Sequence, residues 1–311
     1  MSNKRQIIDK FAFSTSWNTL KERDGAKIVR QIRDLGFVNV ELNFQFDREK
    51  LKGVFECLQA GEIRITGVHN FCPTPEGVEI SKALPDCFSL AAVDENERKR
   101  AVECTRASIA TTKELGGTYV VIHSGRVEMQ SRMRQIINLA KEGKRDSSEF
   151  ETIKHGMLEE RRDKIKEHFD ALTTSYSELT KDAMAQDIIL GLENRFYVRE
   201  LPAPDEIETL LKYFRKENLR YWHDVGHAVI QETLGFYGYG EYIERFHRDM
   251  FGVHLHDVRH YRDHNMPCLG EVDFIALESF IKDDVVKVIE VHGHQTKDDI
   301  RASLEQLNTI F

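Results

Sequence analysis

Residues able to bind a metal or move a proton recur at one kind of place in this 311-residue chain, the end of a short apolar run. Glu41 and Asn43 close one run, His69-Asn70 a second and His123-Ser124-Gly125 a third. Glu193-Asn194, His223-Asp224, His254-Leu255-His256-Asp257 and Glu290 close four more, with His227 three past Asp224. A lone His or Glu at such a position usually caps a loop, but the repetition calls for a common cause. Glu193, Asp224, Glu290 and one imidazole from the HLHD stretch give three oxygen donors and one nitrogen. That mixture suits Mn²⁺, Co²⁺, Mg²⁺ or Zn²⁺ and not a thiolate-bound structural zinc. Three or four protein ligands leave positions open for substrate oxygens. His254 and His256 are two apart and share one side of a strand, so this spacing leaves the imidazole open between them.

The elements that must position these residues follow from hydrophobic patterning. Eight short apolar runs stand out: 11–16, 38–44, 64–69, 119–123, 188–193, 220–224, 252–256 and 286–291. Helix-like stretches separate them at 24–35, 48–60, 95–115, 204–216, 239–248, 273–281 and 297–307. Gly36, Gly61, Gly116 and Asn218 punctuate helix ends as C-caps do. Strict strand–helix alternation implies a parallel sheet. An open doubly wound sheet has the same local pattern, but eight units favour closure into an α/β fold of (β/α)8 TIM-barrel type. In that fold active sites lie at the C-terminal strand ends, where the polar residues fall. One connection is oversized: residues 126–186, between strands four and five, form an enlarged helical insertion with one extra or extended helix. It is read as a solvated decoration in preference to a lid or subunit contact. Residues 1–311 are expected to form a single barrel domain.

Bulk properties bound the partners. Hydrophobic residues make up 41% and charged residues 31%, as in a folded globular protein. The formal charge is −8 and no Lys/Arg cluster marks a nucleic-acid face, so a nucleic-acid partner is not expected. The five cysteines form no CxxC pair, which fits reduced thiols in the cytoplasm. No apolar run is long enough to span a membrane. A cytoplasmic protein is expected, and a homo-oligomer is compatible with everything above.

Six stretches carry a family likeness: VIHSG (121–125), GLEN (191–194), HDVGH (223–227), HLHD (254–257), CLGEVDF (268–274) and VIEVHG (288–293). With them the chain resembles the xylose isomerase-like TIM-barrel superfamily, which includes sugar and sugar-phosphate isomerases and epimerases, inosose dehydratase and endonuclease IV. The resemblance implies a divalent metal held by Glu193, Asp224, His254 and Glu290. The family pattern His-Leu-x-Asp selects His254 over His256. It also implies isomerisation or epimerisation of a carbohydrate by proton transfer next to a carbonyl, through a metal-stabilised enediolate. Glu193 and Glu290 are then the catalytic acid–base pair as well as ligands. His69, His123, His227, His256 and Arg262 become candidates for substrate binding, and Trp17 and Phe71 for the apolar face of a sugar. Two alternatives reuse the same centre: an inosose dehydratase-like lyase and an endonuclease IV-like AP endonuclease with three zinc ions. The nuclease family has Asp-x-His shortly before Leu-Gly-Glu. Here Asp263 and His264 are adjacent, which argues against a third metal.

Overall fold

Short buried runs separated by amphipathic helices can pair only in parallel, and they do so all the way round a closed barrel. The computed structural model describes Ile8 and residues 10–311. Its parallel strands are β1 (Phe11–Ser14), β2 (Asn39–Leu42), β3 (Arg64–His69), β4 (Tyr119–Ile122), β5 (Ile189–Glu193), β6 (Leu219–Asp224), β7 (Met250–Leu255) and β10 (Val286–Ile289). Neighbours in sequence pair in space, and β1 closes onto β10. The expected barrel and its enlarged β4–β5 connection are both present.

The helices form where apolar spacing and capping residues placed them. They are α1 (Gly25–Asp34), α2 (Arg48–Gln59), α3 (Glu95–Glu114), α6 (Pro204–Phe214), α8 (Glu241–Phe246), α9 (Phe274–Glu278) and α10 (Lys297–Ile310). Asp24, Asp47 and Asp94 cap α1, α2 and α3 by accepting backbone N–H groups of the first turn. The connection after β4 holds α4 (Met133–Lys141) and the 39-residue α5 (Ser148–Gln186). In the C-terminal half of α5, Leu172, Tyr176, Leu179 and Ala183 are buried at intervals of three and four, so this half serves as a barrel helix. Its N-terminal half is pinned by the buried Arg161, whose two Nη atoms donate to Glu206 at 2.6 and 2.8 Å. The insertion is therefore part of the barrel wall more than a solvated decoration.

Two features depart from the expected pattern. A helix, α7 (Val225–Thr233), begins directly after β6, and its N-cap is Asp224 itself. A two-stranded antiparallel hairpin, β8 (Asp257–Arg259) and β9 (Arg262–Asn265), follows β7 on the side where the polar residues gather. No helix among the described residues is long and apolar enough to cross a membrane.

The period of two along each strand links packing to the site. Ala12, Tyr119, Val121, Trp222 and Val288 form a separate cluster inside the barrel. Gly67 and Gly252 make room for it: a Cβ on Gly252 would lie 2.1 Å from the Trp222 ring, and one on Gly67 2.4 Å from the Tyr119 ring. Two residues further along, the same inward parity presents His69 after Gly67, His123 after Val121 and Glu193 after Gly191. It likewise presents Asp224 after Trp222, His254 after Gly252 and Glu290 after Val288. Each of these six strands thus supplies one position to the packed interior and the next to the floor of the cavity above it.

Candidate metal centre

Glu193, Asp224, His254 and Glu290 come from four strands or strand ends and converge. One ligand-capable atom from each lies within 4.8 Å of the others, and all four residues are buried. Nδ1 of His254 stands 2.9 Å from Oε1 of Glu193, 3.0 Å from Oε2 of Glu290 and 3.7 Å from Oδ2 of Asp224. Its other nitrogen, Nε2, faces Oε1 of Glu41 at 3.1 Å. Burial would lower the His254 imidazole, but Glu290 and Glu41 raise it well above its ordinary range. The same charge balance works on the acids. Burial would raise Glu290, yet His254 and His264 hold it well below the usual carboxylate range.

This set fits a divalent cation on its chemistry. Three buried carboxylates meeting at one point repel each other unless a positive charge lies between them. The Glu41 carboxylate holds a proton of His254 on Nε2, so that Nδ1 can offer its lone pair to a cation, the carboxylate–histidine arrangement that supports metal-binding imidazoles. Tyr119 completes the support by donating from its hydroxyl to Oε2 of Glu41 at 3.0 Å. Glu41 stands at a strand end in the sequence, but nothing there indicates that it backs a histidine on the far strand.

HLHD resolves into three separate jobs. His254 faces the carboxylates. His256 accepts the backbone N–H of His264 on Nδ1 at 2.9 Å, which places its own proton on Nε2. That Nε2–H donates to Asp224, 2.9 Å from Oδ1 and 3.0 Å from Oδ2. His256 is fully buried and lies beneath the cavity, not on its wall, so it supports Asp224 where substrate contact was expected. Asp257 accepts the backbone N–H groups of Val258, Gly270, Glu271 and Val272, and so ties the LGEV stretch to the end of β7. Gly270 permits this approach, because a Cβ there would lie 2.3 Å from the Val258 carbonyl oxygen.

Two further groups share ligands with the first. His69, His123 and Glu193 form one, and Asp224, His227, His256 and His264 the other. In the first, Nε2 of His123 is 2.9 Å and Nε2 of His69 4.0 Å from Oε2 of Glu193. In the second, Asp263 joins the group, at 3.7 Å from Nε2 of His227 and 3.3 Å from Nδ1 of His264. The adjacency of Asp263 and His264 does not separate their side chains. His264 takes a left-handed backbone (φ 53°), which breaks the alternation of β9 and turns both toward His227. Asp263 and His264 thus face the same neighbour although no residue separates them in sequence.

Above the floor lies a cavity of about 630 Å³, within the usual range for small-molecule sites. Glu193, Glu290, His69, His123, His227 and Arg262 all line it, and so does Trp17, whose Nε1 donates to the Gln295 carbonyl. Phe71 is buried away from it. Arg262 stands exposed on the wall, with no carboxylate of the described residues within 4 Å. Arg195 and His292, which the sequence did not single out, also face the cavity, as does His264, on which His292 stacks with ring centroids 3.9 Å apart. Burial and the neighbouring His264 push His292 down to about 3. Arg195 had one sequence signal, its position two past Glu193 with the same inward parity.

Comparison with known proteins matches a family model over residues 29–310, that of the xylose isomerase-like TIM barrel. The chain belongs to this family. It is 25% identical over 220 residues to the uncharacterized protein MJ1311 of Methanocaldococcus jannaschii, a match covering 68% of this chain and 63% of that protein. The chain thus spans slightly less than two thirds of this relative's length. Among solved structures, a D-tagatose 3-epimerase-like protein superposes with a TM-score of 0.68 at 22% identity, over 96% of both chains. D-psicose 3-epimerase of Clostridium cellulolyticum H10, solved with D-tagatose, superposes at 0.66 with 14% identity, over 96% of this chain and 98% of that one. At these identities the likeness is one of fold.

Proposed function

We propose that this chain is a divalent-metal-dependent isomerase or epimerase of a small carbohydrate, acting by proton transfer next to a carbonyl. The observation that carries this reading is the convergence of Glu193 and Glu290, from opposite parts of the strand order, on one imidazole nitrogen at the floor of a polar cavity. The superposed structures, a D-tagatose 3-epimerase-like protein and a D-psicose 3-epimerase, favour the same class.

Glu193, Asp224, His254 and Glu290 would hold the ion, with Asp224 steadied by His256 and His254 by Glu41. A divalent ion supplies positive charge to the carbonyl and neighbouring hydroxyl oxygens as negative charge develops on them. The protein's own groups divide the proton work. Both oxygens of Glu193 are engaged, Oε1 by His254 and Oε2 by His123 and Arg195. Glu290 lines the cavity and meets His254 and His264 through Oε2, with no ion pair through Oε1 among the described residues. Glu290 is therefore the stronger candidate to take the proton from carbon, with Glu193 as its partner across the substrate. His69 and His123 would hydrogen-bond substrate hydroxyls. Burial and then Arg195 hold His123 well below its ordinary range, so it acts as a neutral imidazole. The test is a panel of ketopentoses and ketohexoses incubated with the Mn²⁺-, Co²⁺- or Zn²⁺-loaded protein. Formation of an epimer or aldose, lost on metal removal, is expected. No turnover of any sugar would contradict the reading.

One observation favours a second reading. The three ligand groups share Glu193 and Asp224, as a centre with several ions would require, and such centres hydrolyse phosphodiesters. Cleavage of abasic-site DNA by the zinc-loaded protein, without sugar turnover, would move the assignment there.

A further inference from the structure

The floor carries a permanent positive charge that is not part of the proposed ligand set. Arg195 is buried, with its side chain 7% exposed. Its Nη1 donates to Oε2 of Glu193, the same oxygen that faces Nε2 of His123 at 2.9 Å and Nε2 of His69 at 4.0 Å. The guanidinium is held from behind by the partly buried Glu200, 3.7 Å from its Nε, and Glu200 is itself fixed by the backbone N–H of Tyr197. The main chain at Arg195 is anchored through its carbonyl oxygen, which accepts from Nε2 of Gln231. Arg195 also lines the cavity. Of the three ligand groups, the one formed by His69, His123 and Glu193 thus has a fixed cation on its only carboxylate.

We infer that Arg195 stands in place of a metal ion between His69, His123 and Glu193, leaving that group without an ion and presenting a guanidinium to a substrate oxygen instead. The inference rests on the metal-dependent reading above and narrows it. A guanidinium and a divalent ion on one carboxylate oxygen repel strongly in a buried setting, and the guanidinium is covalently tethered there. Arginine does not lose its proton in proteins, so the exclusion does not lapse with pH. With no ion to ligate, His69 and His123 keep their nitrogens for hydrogen bonds to hydroxyls. A substrate oxygen between Arg195 and the proposed ion would meet positive charge from two sides, an arrangement suited to a carbonyl becoming an oxyanion and poorly suited to a bridging hydroxide nucleophile.

The test is a titration of the full-length protein with Mn²⁺, read by elemental analysis after gel filtration and by electron paramagnetic resonance. Arg195→Met is expected to bind one ion more per chain than wild type, with an exchange-coupled signal, and adding His69→Ala to it should return the count to that of wild type. Arg195→Lys, which keeps the charge, should keep the wild-type count. His69→Ala alone, whose Nε2 lies 4.0 Å from Glu193 and makes no hydrogen bond to it, is expected to keep the wild-type count and to bind within about threefold of wild type, far from the 10- to 100-fold loss that follows when a metal site loses a partner. An unchanged count in Arg195→Met, or a lost or tenfold weaker ion in His69→Ala, would each overturn the inference while leaving the metal-dependent reading in place. If Arg195→Met does not fold, His69→Ala decides. A wild type that binds no ion contradicts the functional reading itself, and the inference with it.

Discussion

Nε2 of His254 on β7 donates to Oε1 of Glu41 on β2, across the barrel, at 3.1 Å. This bond orients the imidazole so that Nδ1 meets Glu193, Glu290 and Asp224. Glu41→Gln should therefore weaken metal binding by about 10- to 100-fold while leaving the fold intact. Competition with a chelating dye measures this. An unchanged affinity would remove Glu41 from the supporting role.

Asp224 depends in the same way on His256, and His256 depends on space made by Gly226. A Cβ on Gly226 would lie 2.2 Å from Cε1 of His256. Gly226→Ala, on a residue that does not line the cavity, should displace the ring and lower metal affinity about tenfold, with a smaller effect on thermal stability. The same chelator competition, paired with thermal unfolding, separates the two effects.

The barrel interior below the site sets a stability prediction. Gly252→Ala drives a methyl into Trp222, a fully buried ring with Tyr119 at 4.6 Å between centroids. Overpacking of this kind costs about 1–3 kcal/mol. Denaturant midpoints should fall accordingly, and an unchanged midpoint would mean that the interior yields more easily than its packing implies.

How much of this was legible beforehand differs between elements. Strand β3 falls on the expected 64–69 and helix α3 within one residue of its expected end, because apolar period and Gly116 at the C-cap both mark them. The floor residues were legible for a related reason: strand ends in a barrel all point to one place. What was not legible depends on contacts between distant strands or on local backbone. Glu41 gains its role from His254, 213 residues away. The β8–β9 hairpin and the shared orientation of Asp263 and His264 depend on left-handed residues at His260, Tyr261 and His264, none of which is a glycine that would announce the turn. Arg195 was not singled out in the sequence, because its role depends on the guanidinium reaching Glu193.

Away from the site, Glu232 on α7 gives a pH test. Burial raises its carboxyl from 4.5 to about 7, with Glu241 and Glu244 pushing the same way against the backbone N–H groups of Gly240 and Tyr242. Between those values the folded state binds more protons than the unfolded one, so stability falls as pH rises through this window. Glu232→Gln removes that fall. It should be more stable than wild type by about 2 kcal/mol above the upper value, allowing for solvent screening, and equal to it at the lower one. Unfolding followed at several pH values reads the difference, and a constant offset at every pH would contradict the assignment.

The central claim is that Glu290 moves a proton on a carbon next to a carbonyl, at a floor built with Glu193, Asp224 and His254. The most direct measurement is deuterium incorporation from D₂O into whichever ketose the Mn²⁺-loaded protein turns over, followed by NMR. Wild type is predicted to place deuterium on the carbon adjacent to the carbonyl, and Glu290→Gln to do so at least about 100-fold more slowly. Turnover without deuterium at that carbon, or Glu290→Gln exchanging at the wild-type rate, would contradict the account.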